Sequence, residues 1–188
     1  MVKMPRYKTK IQRKVTREEA LAMLEKCNNF NEQVFVSLCY VTGARTSEIL
    51  ELTKEKFTIT EEMFVVRLRT KKLKIDPQKF QIMEERPLEF VRHPVDPFIE
   101  NIVVAVQERN IGDRILPFSS RWGQLLLNKL GNQVIGLPLT PYHFRHTAIT
   151  NQAAQGRTID QIMHFKGSTD ARSVTPYLHA RPYKVKIE

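Results

Sequence analysis

The apolar residues of this chain change their spacing twice, and that change limits the folds open to it. Thr16-Arg17-Glu18-Glu19 forms a capping-box sequence, and Ala20, Leu21 and Leu24 follow at helical spacing. The pattern predicts a helix to about Cys27, a break at Asn28-Asn29, and a second helix to about Val41. After Thr42-Gly43, a third helix is expected over Ser47–Leu52, with Ile49, Leu50 and Leu52 facing inward. Met63–Arg69 and Pro87–Arg92 are instead dense in β-formers. They are separated by a long polar stretch containing Asp76-Pro77, which reads as a long basic hairpin in a small antiparallel sheet. Helical spacing returns from Asp96-Pro97 to about Glu108, then in Arg121–Leu130 (closed by Gly131), Pro141–Ala154 and Thr158–Phe165. Ile115–Phe118 reads as a short extended piece and Pro176–Ala180 as a last short element. The expected class is α+β, mainly helical, with one small antiparallel sheet inserted after the third helix.

A chain of 188 residues matches one domain and can bury a core without covalent staples. Its longest apolar runs, Val34–Val41 and Ile102–Val106, fall far short of the ~18 residues that read as a membrane span. The N-terminus has no apolar h-region, so no signal peptide is read. Cys27 and Cys39 make neither a disulfide framework nor a zinc site. The five Asp do not cluster as a two-metal site requires, and no phosphate-binding Gly-x-x-x-x-Gly-Lys-[Ser/Thr] loop is present. Neither metal nor cofactor is therefore expected. The charge points elsewhere. Thirty Lys and Arg against twenty Asp and Glu give +10, an excess that suits a polyanionic partner. It is concentrated in three places: Lys3 to Lys14, Arg67 to Lys74, and Arg172 to Lys186. Three separate basic clusters suit a wrapped phosphate backbone.

Four motifs carry the chemistry. Thr42-Gly43-Ala44-Arg45-Thr46-Ser47-Glu48-Ile49-Leu50 places Arg45 at a helix start, where the helix dipole favours an anion, so the cation needs another reason to be there. Lys71 and Lys72 sit just past a strand end. Thr140-Pro141-Tyr142-His143-Phe144-Arg145-His146-Thr147 opens a helix, with Tyr142 and Arg145 sharing a face. Thr175-Pro176-Tyr177-Leu178-His179 carries Tyr177 behind a proline. Together these resemble the catalytic domain of tyrosine recombinases, the phage-integrase and Xer-like enzymes, in a divergent form like archaeal and viral integrases. The resemblance runs from about Thr16 to His179.

Carried over residue by residue, the resemblance makes Arg45 and Arg145 the two catalytic arginines and Glu48 the acid one turn after the first. Lys71 becomes the hairpin lysine, with Lys72 and Lys74 as alternates, and Tyr177 the nucleophile. Two positions depart. Tyr142 stands where the family often has the His of His-x-x-Arg, and Ser168 stands where it often has His or Trp after Gly. His143 is one place off and should point to another side of its helix. His164, one turn before Ser168, is the residue expected to reach the same space. The implied reaction is metal-independent DNA cleavage and rejoining: Tyr177 attacks phosphorus, the 5′-oxygen leaves, and a 3′-phosphotyrosyl bond conserves the ester.

Arg45 and Arg145 would clamp the non-bridging oxygens with forked donors that Lys lacks. Lys71 would protonate the leaving oxygen. Tyr142 and Ser168 keep a hydroxyl able to donate to a phosphate oxygen but are poor proton acceptors near neutral pH. Glu48 would orient Arg45.

Residues 1–14 read as a basic linker and 15–188 as the catalytic domain, with the family's N-terminal core-binding domain absent. The resemblance also implies a cytoplasmic, DNA-associated protein that binds double-stranded DNA and self-associates there as a tetramer, with Leu178–Ile187 available to pack on a neighbour. Three other readings stay open: a catalytically impaired DNA-binding relative, a type IB topoisomerase-like enzyme, and a non-catalytic RNA-binding protein.

Overall fold

The computed structural model describes residues 13–70, 85–93 and 95–180. Seven helices and three strands are formed by these residues. Helix α1 (Arg17–Glu25) starts on the expected capping box, Thr16 accepting from the Glu19 amide while Glu19 accepts from that of Thr16. Helix α2 (Phe30–Thr42) has Asn29 as its N-cap. It is apolar nearly all round, Val34 to Cys39 being buried without a break, so it is the central element of the core. Around it lie α1, α4 (Pro97–Gln107), α5 (Ser120–Ile135) and α6 (Pro141–Ala154). Helix α3 (Thr46–Ile49) and α7 (Ile159–Lys166) complete the set. Among the described residues no helix is long and apolar enough to cross a membrane.

The sheet is antiparallel, in the order β1 (Phe57–Ile59), β2 (Met63–Arg69), β3 (Glu85–Val91). In β2 the buried residues Phe64, Val66 and Leu68 alternate with more exposed ones. Phe64 faces Phe90 in the register, and their rings stack at 4.9 Å. The same register sets Leu68 opposite Arg86, on the strand face that also carries the buried Leu88. Fold class and sheet position agree with expectation, but three local readings are corrected. Strand β1 was not anticipated. The third helix ends at Ile49, and Leu52 is buried from a turn beyond it. Gly131 does not close α5. A Cβ there would lie 2.5 Å from the Leu137 carbonyl oxygen and 2.7 Å from Leu139 Cγ, so the glycine admits the returning chain. The helix stops at Gly136, whose φ is +69°.

One turn places the first site residue. Gly43 ends α2 with φ +56°, and a Cβ on it would stand 2.6 Å from Ala148 Cβ and 3.4 Å from Arg145 Cα. The Gly-Ala-Arg turn therefore rests directly on α6. Gly43→Ala should cost more than the ~1–2 kcal/mol of a left-handed non-glycine residue, because overpacking against α6 adds to it. Urea unfolding measures that loss, and a change below ~0.5 kcal/mol would contradict the close approach.

Candidate active site

Arg45 is the N-cap of α3. The helix dipole opposes a cation there, and the local answer is Glu48 at the third helical position. Its carboxylate accepts the Arg45 backbone N–H at 2.8 Å and Arg45 Nη1 at 2.8 Å. Arg86, on β3, grips the same carboxylate from the other side, Nη1 donating to Oε1 at 3.2 Å and Nη2 to Oε2 at 3.1 Å. Its remaining bonds go to Thr70 Oγ1 at 3.3 Å and the Phe165 carbonyl at 3.3 Å. Both Arg86 and Glu48 are buried. Burial alone would raise the Glu48 carboxyl; hydrogen bonds and charge from Arg86, then the Arg45 amide and charge, hold it below its ordinary value.

Arg86 thus ties together the end of β2, the end of α7 and the acid that orients Arg45. Gly167 lies flat against it: φ is +65°, and a Cβ would stand 2.6 Å from Arg86 Nη1. Breaking a buried pair leaves an uncompensated charge, typically a loss of ~3–5 kcal/mol. Arg86→Met should fall near the lower end, since Arg45 still faces Glu48, and urea titration measures it. The folded-state carboxyl lies below its unfolded value. The pair's contribution is therefore complete above the unfolded pKa of ~4.3 and fades as pH falls through the folded value, so the variant's deficit should shrink in acid.

Arg145 projects from α6, whose first turn is preset by Pro141. Nη1 donates to the Gly43 carbonyl at 2.9 Å, and Nη2 to the Lys166 carbonyl. Only 7% of the residue is exposed. Burial and the charges of Arg45 and Arg86 lower its pKa to about 10, with Glu48 opposing, so it remains a cation at neutral pH. Arg45 and Arg145, a hundred residues apart in the chain, therefore share one electrostatic environment built on the Gly43 turn. Among the described residues, three of the five N–H donors of Arg145 and four of those of Arg45 have no bond, so both forks have donors to offer an anion.

Tyr177 closes the group from the 3₁₀ turn Thr175–Ala180. It is 4% exposed, its hydroxyl lies near that of Tyr142, and its ring lies 5.2 Å from that of His146. Burial first, then Tyr142, raises the phenol to about 12, while the charge of Arg145 opposes. On the ring face stands a cation absent from the predicted set, Lys166, with Nζ 5.3 Å from the centroid.

The sequence profile of the phage integrase family matches residues 13–183. The chain belongs to that family. Among curated relatives, the tyrosine recombinase XerC of Chlamydia trachomatis is 26% identical over 185 residues, covering 95% of this chain and 58% of that protein. The chain thus spans somewhat more than half the length of this relative. Among solved structures, the catalytic domain of bacteriophage HP1 integrase is similar with a TM-score of 0.56 at 15% identity, covering 91% of this chain and 89% of that one. The XerH site-specific recombinase bound to its difH substrate, in a pre-cleavage complex, is similar with a TM-score of 0.66 at 14% identity, over 86% and 48%. The fold is that of an integrase catalytic domain.

Against the residues expected from the integrase motifs, Arg45, Glu48, Arg145, Tyr142 and Tyr177 are brought together. Lys71, Lys72 and Lys74 lie outside the described residues. Ser168 is near in sequence but turned within its own loop, its Oγ 2.8 Å from Ser173 Oγ. His164 corrects the expectation: its Nε2 lies 2.9 Å from the Pro87 carbonyl, in a groove lined by Gln152, Arg157 and Gln161 along β3. Two positions beyond Ile162, which is buried, the helical rotation turns it to that outer face rather than toward Arg145. His143 points aside as expected, Nδ1 accepting the Thr140 amide at 3.1 Å. The expectation missed Arg86, Lys166 and His146. A signal existed for Arg86, since period-two alternation puts it on the Leu88 face, where a cation demands a buried anion.

Proposed function

We propose that this chain is the catalytic domain of a tyrosine-type site-specific DNA recombinase, which cleaves and rejoins duplex DNA without a metal through a 3′-phosphotyrosyl intermediate. The observation that supports this most is the meeting of Arg45 and Arg145 over the Gly43 turn, with the Tyr177 phenol packed beside Arg145. The recombinase XerH, of similar fold, is bound to its difH substrate.

In the proposed reaction the scissile phosphate sits between the two guanidiniums, which neutralise the non-bridging oxygens as charge builds on them. Glu48, fixed by Arg86, holds Arg45 in line. Tyr177 leaves Tyr142 to attack phosphorus, the O5′ leaves, and Lys71 gives it a proton. A 5′-hydroxyl from a second strand reverses the step. Tyr142 donates to a phosphate oxygen once released, and Ser168 does the same if its loop turns. The basic clusters track the backbone, and the chain self-associates on DNA as a tetramer.

Incubating the whole chain with nicked duplex DNA, from which the short leaving fragment with the new 5′-hydroxyl diffuses away after cleavage, tests this reading. The expected result is a DNA adduct that survives denaturing electrophoresis and maps to the Tyr177 peptide. DNA binding with no adduct would favour the catalytically impaired relative. That second reading draws on Tyr142 and Ser168 standing where the family often has histidine.

A further inference from the structure

The proposed reaction leaves one proton without an acceptor. As Tyr177 Oη bonds to phosphorus, its phenolic hydrogen must go to a base. Tyr142, whose hydroxyl lies near it, takes up a proton poorly, and His164 faces β3. His146 lies ring to ring with Tyr177 from the next position after Arg145; burial first, then the charges of Lys14, His179 and His143, lower its pKa, so it is the rival acceptor.

Lys166 is differently placed. It is the last residue of α7, half-buried, and its backbone carbonyl is the acceptor of Arg145 Nη2. The side chain turns inward: Nζ donates to the Ser173 carbonyl and stands 5.3 Å from the Tyr177 ring centroid. One amine thus touches the segment carrying the nucleophile, while its own main chain holds the second arginine. The groups facing it are Arg145 from α6, Arg45 from the start of α3, Asp170 from the turn after α7, and Tyr177 itself, with Glu48 and Arg86 behind the two arginines. Gly167 presents no side chain between α7 and Arg86, so the end of α7 approaches the arginine cluster closely.

We infer that Lys166 is a further catalytic residue of this site, the amine that takes the phenolic proton of Tyr177 during strand cleavage and returns it during rejoining. The inference rests on the recombinase reading above. In the forward step the Tyr177 Oη–P bond forms and the P–O5′ bond breaks. The phenolic proton passes to neutral Lys166 Nζ, and the leaving oxygen takes a proton from Lys71. In the return step the DNA hydroxyl gives its proton to Lys71, and the Lys166 ammonium reprotonates the departing phenolate. The bond from Nζ to the Ser173 carbonyl is exchanged for one to the phenol by rotation of the lysine chain. A neutral amine is within reach here: burial first, then Arg145 and Arg45, lower the Lys166 pKa to about 8, with Asp170 opposing. Two permanent guanidinium charges thus favour a lysine that releases its proton readily, which suits an acceptor better than a third clamp.

Single-turnover adduct formation on nicked DNA from about pH 6 to about pH 9.5 tests this with the whole chain, Lys166→Met and Lys166→Arg. For the unaltered chain the rate should rise about tenfold per pH unit and level off near the amine's pKa. Lys166→Met should be about 100-fold slower at pH 8 and lack that limb. Lys166→Arg, which keeps the charge but does not release its proton, should be equally slow. Duplex binding and circular dichroism confirm that the variants are folded; if the Met variant is not, the Arg variant decides. An Arg variant with the rate and pH limb of the unaltered chain would overturn the proposal, as would an unaffected Met variant. Absence of adduct from the unaltered chain would instead overturn the recombinase reading itself, and the lysine's role with it.

Discussion

Tyr177→Phe should abolish covalent capture of nicked DNA and leave duplex binding within about twofold of the unaltered chain. The change removes one oxygen from a ring that is 4% exposed and otherwise packs unchanged against His146 and Lys166. The neighbouring hydroxyl is that of Tyr142, which is half exposed and open to water. The stability cost is therefore at most that of one ordinary hydrogen bond, about 1 kcal/mol. Chemistry suffers far more, because in the proposed reaction the phenol oxygen is the atom that becomes covalently bound, and the neighbouring Tyr142 projects from α6. Denaturing electrophoresis of matched amounts of both proteins reads the result. Adduct that persists in the Phe variant and maps to Tyr142 would exchange the roles of the two tyrosines.

Arg145→Ala should slow adduct formation by about 10²–10³-fold, the usual loss for one preorganised donor to a developing oxyanion. Arg145→Lys should recover little of it, since a lysine cannot span the Gly43 and Lys166 carbonyls while also presenting two donors to a phosphate. Those carbonyl bonds also pin α6 to the Gly43 turn and to the end of α7, so the alanine variant will be less stable as well. Rates are therefore compared at a temperature where circular dichroism shows both variants folded. A lysine variant as fast as the unaltered chain would show that charge alone is needed there.

Much of this arrangement was legible in the sequence because it is local. Thr16 and Glu19 are three residues apart, and the capping box they announce is formed. Gly43 precedes Arg45 by two residues, and a glycine at a helix end signals the left-handed turn that delivers the arginine. The β-formers of Met63–Arg69 announced β2. Misreadings came where tertiary contact outweighs local pattern. Strand β1 has three residues, too few to show a period, and pairing with β2 alone creates it. Gly131 looked like a helix stop, yet its missing Cβ serves the packing of Leu139 inside a helix that continues. The role of Arg86 depends on Glu48, thirty-eight residues earlier, and no spacing rule joins them. Lys166 carries no signal of its role in the sequence, and only the docking of Thr175–Ala180 brings Tyr177 over it.

Strand cleavage as proposed requires Arg45 and Arg145 to serve one oxyanion. A crystal of the chain soaked in tungstate, a tetrahedral dianion that mimics a phosphate and is located by its anomalous scattering, measures this directly. The predicted result is one tungstate with nitrogen atoms of both guanidiniums within about 3.2 Å of its oxygens and the Tyr177 ring on the Arg145 side. Ions bound by each arginine separately, or one ion held by a single arginine with the other turned away, would contradict the account.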